Sequence, residues 1–489
     1  MQIINNTYIE GKFIESKSTS YFELINPANE ERYGSLLCSS IEDLENAINS
    51  AYINQAYCLN LSIQSRKDIL SQILEGIVDR RQELAEVISL EIGAPINLSK
   101  NAHIQMGIDH LQNTINVLNT YQFESKKNGY KIFKTPIGVA ALITPWNWPL
   151  NQTLTKISSA IGAGCSIVMK PSEYCALSSK ILAEIIDSSD LPNGGFNMVN
   201  GHGVDLGPII SKHKMVDAIS FTGSTEVGIN IQELAAKTVK RVSLELGGKS
   251  AHIICDDVDL DKAIPNAINQ CFINSGQSCS APTRLLVPEN NIEQIKDIAK
   301  NHLESIITGD PFNEDTYLGP VVNKRQFERI QSHIQNALDT KCELIAGGVG
   351  KPDGLKNGFY IKPTIFVNVS NKHTIAQEEI FGPVLSIITY KNIEDAISIA
   401  NDSKYGLSSY ITSGNESIAY EIAKQIKAGQ TIINKISRGS VAAPFGGFKM
   451  SGNGREHGVY GLEEYFWTAW EDESDYQYEE INGKLIEIN

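Results

Sequence analysis

Short apolar runs alternate with amphipathic stretches between Thr144 and Leu246. The apolar runs, at residues 166–170, 196–199, 218–221 and 241–246, have the length of buried strands. Helical spacing marks the neighbouring stretches, at residues 153–162, 176–188, 204–213 and 225–238. This alternation predicts parallel strands joined by crossover helices, which is the α/β doubly wound architecture. Ligands of such sheets bind outside the carboxyl ends of the strands.

A second α/β block follows Leu246. Its predicted strands are residues 251–255, 284–287, 361–366, 383–390, 408–412 and 431–434, and its predicted helices are 291–307, 324–340, 393–402 and 417–428. Before the first block, helical patterns cover residues 41–57, 66–90 and 102–121. A chain of 489 residues has room for about three such units. We expect the acidic tail, residues 470–489, to be partly disordered or to cover a subunit edge.

Charge and cysteine content exclude several classes of function. A net charge of −15 disfavours binding to a nucleic acid backbone, and the longest apolar runs are too short to span a membrane. The first residues have no basic or apolar region of the kind found in signal peptides. Eight cysteines without a C-x-x-C pair indicate reduced thiols, so we expect a cytoplasmic protein. His103 and His110 have no third ligand in view and are interpreted as helix-surface residues.

One cysteine, Cys279, lies on a turn among small and polar residues after a helical run. A lone cysteine usually fills a gap in packing, and we interpret Cys271, inside the helical run, in that way. Three further segments change the interpretation of Cys279: 144–149 (TPWNWP), 221–228 (FTGSTEVG) and 244–249 (LELGGK). Together with Gln277–Cys279 they resemble the aldehyde dehydrogenase superfamily. The resemblance extends from about Tyr8 to Trp467.

The resemblance implies a catalytic set for oxidising a small-molecule aldehyde to a carboxylic acid. Cys279 would be the nucleophile that forms a thiohemiacetal and then a thioester. Asn147, with the backbone N–H of Cys279, would form the oxyanion hole, and Glu245 would activate the water that hydrolyses the thioester. From the residues alone, Glu245 lies at an apolar strand end, where its pKa should be raised. An ion pair of Glu245 with Lys249 or Arg241 is the alternative interpretation.

The resemblance also implies NAD as cofactor. Gly223 and Ser224 would approach its phosphates at the start of a helix, where free N–H groups bind anions. Lys170 and Glu173 would hold the adenine ribose. A carboxylate at that place suits a 2′-hydroxyl and repels a 2′-phosphate, which predicts NAD over NADP. The remaining expected cofactor contacts are Glu379 and Phe381 at the nicotinamide ribose, and Trp146 and Leu246.

The family fold further implies three parts and a subunit assembly. The NAD-binding domain would comprise residues 1–117 and 137–247, and the catalytic domain residues 248–450. Residues 118–136 and 451–489 would form a small β oligomerisation region of a homodimer or homotetramer. No metal ligand set is expected.

Substrate identity is less constrained by the sequence. Trp148, Ile273 and Phe445 match positions that line the aldehyde tunnel in the family, which favours an apolar substrate. The loop at residues 347–359 resembles the same loop in one branch of the family, the branch of 6-oxolauric acid dehydrogenase. Two other classes stay open: a cysteine esterase or acyltransferase, and a non-catalytic structural or binding protein on the same scaffold. Formation of NADH from an aldehyde separates the first from a dehydrogenase, and protection of Cys279 by aldehyde tests the second.

Overall fold

The structure is a computed structural model, and it describes residues 2–127, 129–435, 440–472, 477–481 and 484–488. In chain order its strands are β1 Gln2–Ile4, β2 Tyr8–Ile9, β3 Lys12–Phe13, β4 Tyr21–Ile25, β5 Arg32–Leu37, β6 Glu124–Lys127, β7 Tyr130–Pro136, β8 Val139–Ile143, β9 Ser166–Lys170, β10 Phe196–Met198, β11 Ala218–Thr222, β12 Arg241–Glu245, β13 Ala251–Ile254, β14 Arg284–Pro288, β15 Glu343–Ala346, β16 Thr364–Val367, β17 Val384–Tyr390, β18 Ser408–Thr412, β19 Gln430–Ile433, β20 Phe466–Asp472, β21 Gln477–Ile481 and β22 Lys484–Ile488.

The α-helices lie between these strands, and short 3-10 and π turns extend several of them. In chain order they are α1 Ile41–Leu59, α2 Ile63–Asp79, α3 Arg81–Ile92, α4 Ile96–Leu98, α5 Ile104–Leu118, α6 Pro149–Ala163, α7 Ala176–Asp187, α8 Gly203–Lys212, α9 Thr225–Ala235, α10 Leu260–Phe272, α11 Ile292–Glu304, α12 Lys324–Asp339, α13 Thr374–Gln377, α14 Ile393–Asn401, α15 Glu416–Ala423 and α16 Gly458–Glu463. Within the described residues, the helices are all too short or too polar to cross a membrane.

The first large sheet has the strand order β12-β11-β8-β9-β10-β2-β3, and its first five strands run parallel. Successive residues of a strand face opposite cores: in β8, Ala140 and Leu142 belong to one buried cluster, whereas Val139 and Ala141 belong to another. Both faces are therefore covered, which is why these strands read as continuous apolar runs. The topological switch point lies between β8 and β11, and this is where doubly wound sheets bind their ligands.

The second large sheet has the order β15-β16-β17-β14-β13-β18-β19 and is parallel except for the β15–β16 pair. It too is buried on both faces, against two separate apolar clusters. Strand β15 is an edge strand that the sequence analysis missed. Its first residue, Glu343, is exposed, and the strand has only four residues, of which three pair with β16, so its apolar pattern is weak.

A smaller antiparallel sheet, β20-β7-β6, joins two distant parts of the chain. It connects the two segments expected to form an oligomerisation region, although the domain limits themselves stay a prediction. The hairpin β21–β22 follows it. Regular strands occupy the described part of the acidic tail, which was expected to be partly disordered or to cover a subunit edge.

Two further expectations for the N-terminal helices are wrong. The single helix expected at residues 66–90 is two helices, α2 and α3, that meet at Arg80, where the backbone leaves helical geometry (φ −97°, ψ 18°). His103 and His110, expected at a helix surface, are only 0% and 2% exposed. Helix α5 packs against α6, whose inward positions are themselves polar, so His110 meets Asn151 at 2.7 Å. Polar residues therefore mark a buried face here.

Candidate active site

Cys279 lies just after a tight 3-10 turn at Ile273–Gly276. Three consecutive residues of that turn, Asn274, Ser275 and Gly276, have positive φ values of 54°, 54° and 71°. A Cβ added to Gly276 would lie 2.2 Å from the carbonyl oxygen of Gly382, so this position requires glycine. Left-handed backbone is unfavourable for asparagine and serine, and here it reverses the chain and places the thiol beside a cavity.

This cavity, which we call the thiol cavity, has a volume of about 250 Å³ and is lined by Cys279. The three expected tunnel residues, Trp148, Ile273 and Phe445, all line it. The Trp148 ring is fixed, because its Nε1 donates a hydrogen bond to the Ser278 hydroxyl at 2.8 Å and its face stacks on another ring, His103, with centroids 4.1 Å apart. The wall above the sulfur is thus rigid and partly aromatic.

The Cys279 thiol is protonated at rest. Burial, followed by the nearby carboxyl groups of Glu379 and Glu245, raises the pKa of the Cys279 thiol to about 12, although part of the residue remains exposed in the cavity. The backbone N–H groups of Cys279 and Ser280 lower the same pKa. A thiolate is the reactive form, so this site needs a base to remove the proton when a substrate is bound.

Asn147 lies beside the thiol turn, in the loop after β8. Its Nδ2 donates to the Gln277 carbonyl oxygen at 3.0 Å, and its own carbonyl oxygen accepts from Asn274 Nδ2 at 2.8 Å. Asn147 is 4% exposed and is not among the described residues that line the thiol cavity. The amide donor expected for an oxyanion is therefore close to Cys279 in the fold, but it is engaged by a neighbouring carbonyl.

Glu245 ends strand β12, and the side chain is turned toward the loop at residues 446–455. Carboxylate Oε1 lies 2.9 Å from a Cβ built on either Gly446 or Gly454, so small residues leave the space it occupies. The residue is 2% exposed, and among the described residues neither carboxylate oxygen has a hydrogen-bond partner. Glu245 is not among the described residues that line the thiol cavity.

The charges around Glu245 differ from the ion pair considered in the sequence analysis. Within the described part of the chain, neither Lys249 nor Arg241 bonds to it: Arg241 donates to backbone carbonyls, including that of Phe466 at 2.9 Å. Burial and the Glu456 carboxylate raise the pKa of Glu245 well above its usual range, while Lys156 opposes them. Lys156 is itself ion-paired with Glu456 and donates to Ser220 at 2.9 Å.

At the carboxyl edge of the first sheet, two features suit the phosphate and adenine side of a dinucleotide. Lys170 ends β9 and pairs with Glu173 at 3.2 Å. Gly223 and Ser224 follow β11, and Ser224 caps helix α9 by accepting from the Val227 N–H at 3.4 Å. The start of this 11-residue helix presents N–H groups to an anion.

Three more predicted cofactor residues line the same edge nearer the thiol. Trp146 and Phe381 meet edge to face, with ring centroids 5.5 Å apart. Glu379 accepts from the Gly248 N–H at 3.0 Å, and burial raises its pKa to about 7. A Cβ on Gly247 would lie 2.3 Å from Glu379 Oε2, so the glycine admits this carboxylate.

The last predicted cofactor residue, Leu246, packs below helix α9, where a Cβ on Gly228 would lie 2.5 Å from it. This edge therefore carries a lysine cation, two glutamate carboxyl groups, the start of helix α9 and a pair of aromatic rings. This donor and acceptor set fits NAD.

The sequence analysis missed two groups of buried polar residues. One is the Lys156–Glu456 ion pair next to Glu245. The other is a set of carboxamides in the wall of the thiol cavity: Asn151, Gln152, Asn269, Gln270 and Gln430. Neither the helical spacing of the first four nor the position of Gln430 in β19 gave an indication that they face a cavity.

Fold and site together define a dinucleotide-binding enzyme with a cysteine at its centre. Residues 13–470 match the model of the aldehyde dehydrogenase family. A putative aldehyde dehydrogenase of Staphylococcus haemolyticus is 43% identical over 467 residues, which cover 95% of this chain and 98% of that protein. The chain therefore belongs to the aldehyde dehydrogenase family.

Solved structures agree with this assignment. A mutant of aldehyde dehydrogenase C from Pseudomonas syringae, complexed with NAD+ and octanal, is similar with a TM-score of 0.95 and 40% identity, covering 96% of this chain and 97% of that one. Betaine aldehyde dehydrogenase from Staphylococcus aureus, in complex with NAD+, has a TM-score of 0.93 and 33% identity, covering 97% and 96%. The predicted fold class and the prediction of an NAD-dependent aldehyde dehydrogenase are confirmed.

Proposed function

We propose that Cys279 is the nucleophile with which this enzyme oxidises an aldehyde to a carboxylic acid. The observation that carries the proposal is electrostatic and spatial. The sulfur lines a cavity, and the two carboxyl groups that raise its pKa, Glu379 and Glu245, come from two distant parts of the chain. Of the eight cysteines, seven are buried and Cys279 alone is partly accessible.

In the proposed reaction, Cys279 gives its proton to a water molecule in the thiol cavity as its sulfur bonds to the aldehyde carbon. The carbonyl oxygen becomes negative and is held by Asn147 Nδ2 and the backbone N–H of Cys279, after Asn147 exchanges the Gln277 carbonyl for the oxyanion. Bound NAD supplies the acceptor for the hydride that leaves this carbon. The resulting thioester is attacked by a water molecule that gives its proton to Glu245, and the carboxylic acid and free thiol are released.

For Glu245 to reach that water, its side chain has to rotate from the loop at residues 446–455 toward the thiol cavity. Gly446 and Gly454 place no side chain against the carboxyl group at rest, so neither residue has a side chain that this rotation would have to displace. Burial raises the pKa of Glu245 above its usual range, which makes its carboxylate a stronger base than an ordinary glutamate.

We assign the cofactor contacts to residues at the same edge of the sheet. Gly223 and Ser224 would meet the phosphates, Lys170 and Glu173 the adenine ribose. Glu379 and Phe381 would hold the nicotinamide ribose, with Trp146 and Leu246 beside them. Glu173 would select NAD over NADP because its carboxylate repels a 2′-phosphate.

We further propose a cytoplasmic homodimer or homotetramer assembled through the β20-β7-β6 sheet. Trp467 and Trp470 are 46% and 63% exposed on β20, and exposed aromatic residues favour a contact with another subunit. The domain limits predicted above, 1–117 with 137–247, 248–450, and 118–136 with 451–489, complete this proposal. Light scattering on the purified protein tests the assembly, and a monomer would contradict it.

The experiment for the nucleophile compares two cysteines. Cys279→Ala should abolish aldehyde-dependent NADH formation, whereas Cys271→Ala, which changes a fully buried thiol, should keep most of it. Thiol labelling of the wild type should be slowed by aldehyde. Substantial dehydrogenase activity in a folded Cys279→Ala variant would refute the proposed role.

A further inference from the structure

The wall of the thiol cavity is unusually rich in carboxamides. Five such side chains face it, together with aromatic and aliphatic ones, and none of its described lining residues is Asp, Glu, Lys or Arg. A carboxamide offers both donors and acceptors but no charge. The described part of the wall therefore offers hydrogen bonds to an uncharged ligand and no counter-charge to a charged one.

Gln270 has a fixed orientation in this wall. Its Nε2 donates to the Lys435 carbonyl oxygen at 2.8 Å, which requires the NH₂ end at that position and leaves Oε1 as an acceptor. That oxygen is buried and has no partner among the described residues. A buried acceptor without a donor is unfavourable, so a ligand or a water molecule is needed there.

Gln152 repeats the arrangement from another element. It lies on α6, one turn after the Asn147 loop, whereas Gln270 lies on α10, near the Cys279 turn. Gln152 is 6% exposed and lines the cavity, and its Oε1 also lacks a partner in the described part of the chain. Two acceptors on separate helices thus lie around one cavity.

The neighbouring polar groups keep this wall neutral. Asn151 is already engaged by His110 at 2.7 Å. Burial lowers the pKa of His110 to about 3 and that of His457, a lining residue, to about 4, so both rings are uncharged at neutral pH. A charged terminus of a substrate would find no counter-charge among the described lining residues, and desolvating it would oppose binding.

On the basis of the proposed aldehyde oxidation at Cys279, we infer that the substrate is an uncharged aldehyde whose chain carries a hydrogen-bond donor, a hydroxyl or amide N–H, and that Gln152 and Gln270 select it. Such a donor replaces the water that would otherwise bond to these acceptors. An alkyl chain displaces that water without replacing its hydrogen bonds, which weakens binding. This inference revises the purely apolar substrate expected from Trp148, Ile273 and Phe445.

The test is a matched substrate series with NAD. Octanal, which occurs in the complex of the Pseudomonas syringae relative, is compared with analogues ending in a hydroxyl, an acetamide, a carboxylate or a trimethylammonium group, and with shorter members of each set. For wild type we expect kcat/KM with the hydroxyl or acetamide series to exceed that of the equally long alkyl aldehyde by roughly tenfold. Both charged series should be the poorest.

Glutamine-to-methionine variants then assign the preference. Gln270→Met and Gln152→Met should each bring the donor-to-alkyl ratio of kcat/KM toward about 1, since methionine keeps the shape and removes the acceptor. Gln82→Met, at an exposed position on α3, is the matched control and should leave the ratio unchanged. Because the readout is a ratio on one enzyme, a general loss of activity cancels.

The outcomes separate this inference from the function on which it rests. If wild type oxidises none of these aldehydes, the proposed function fails and the inference with it. If alkyl or charged aldehydes are oxidised as well as the donor-bearing ones, or if both methionine variants keep the wild-type ratio, the substrate inference alone is overturned. A fall of the ratio in either variant supports it.

Discussion

The substitution Glu245→Gln separates the two halves of the proposed reaction. Glutamine has nearly the same shape as glutamate, and the site is buried with no hydrogen-bond partner for the carboxylate oxygens among the described residues. The change therefore removes a base without breaking a contact seen in the structure. We expect the variant to fold and to form the thioester, but to hydrolyse it slowly.

The size of the effect follows from what the carboxyl group does in each step. A general base contributes roughly 10²–10⁴ to a rate, so the steady-state rate should fall by about that factor. Acylation should not slow for lack of charge, because Glu245 is one of the groups that raise the pKa of the Cys279 thiol. Without its charge, the pKa of Cys279 falls and the thiolate forms more easily.

The pH dependence gives a second readout with a defined sign. The pKa of Glu245 in the folded protein is raised above its value in the unfolded chain. Between these two pKa values the folded protein holds a proton that the unfolded chain has lost, so stability falls as pH rises through this interval. Glu245→Gln has no such proton. Its melting temperature should therefore gain on that of the wild type as pH rises, while its steady-state rate loses the increase with pH that deprotonation of Glu245 produces.

Stopped-flow measurement of NADH formation tests whether Glu245 acts in hydrolysis of the thioester. The variant should give a burst of about one NADH for each active site, followed by the slow phase. Glu416→Gln, at an exposed helix start, is the control for the chemical change and should behave as wild type. A steady-state rate within about twofold of wild type, or a folded variant without any burst, would remove Glu245 from the proposed role.

Three other substitutions test the remaining assignments. Glu173→Gln should raise the ratio of kcat/KM with NADP to that with NAD by roughly tenfold, because it removes the charge that repels a 2′-phosphate; an unchanged ratio would contradict the assignment. Asn147→Ala should lower kcat by roughly 10²–10³ with a smaller change in KM, and equal changes in both would point to a structural role. Glu91→Ala should lower the free energy of unfolding by about 3 kcal/mol, because the buried carboxylate accepts from the Leu177 N–H and from the N–H and hydroxyl of Ser178. Urea unfolding measures this, and a loss below about 1 kcal/mol would show that water replaces those bonds.

Much of the fold was predictable because parallel strands buried on both faces leave a continuous apolar run. The predicted limits of β9 and β18 are those of the structure, and the switch-point loops follow the expected strands. Edge strand β15 was missed because it is only four residues long and its first residue is exposed. The break at Arg80 was missed because α2 and α3 continue one apolar spacing through it.

Side-chain direction was less predictable than position. The sequence places Glu245 at a strand end, and the structure agrees, but the rotation of its carboxyl group toward Gly446 and Gly454 depends on a loop some 200 residues away in the chain. His110 shows the same difficulty. Its helix has a polar face that reads as solvent-exposed, yet that face meets an equally polar face of α6. Pairing of two polar surfaces requires tertiary information.

The electrostatic state of the resting site explains how these parts act together. Burial raises the pKa of the Cys279 thiol to about 12 and raises that of the Glu245 carboxyl group well above its usual range. A negative charge on Glu245 further disfavours a negative charge on Cys279. Negative charge then develops on the substrate oxygen, and Asn147, a buried neutral donor, exchanges the Gln277 carbonyl for this oxygen. Stabilisation that arises mainly as this charge forms lowers the barrier rather than tightening substrate binding. The carboxamide wall, as far as the structure describes it, adds no charge beside this developing oxyanion.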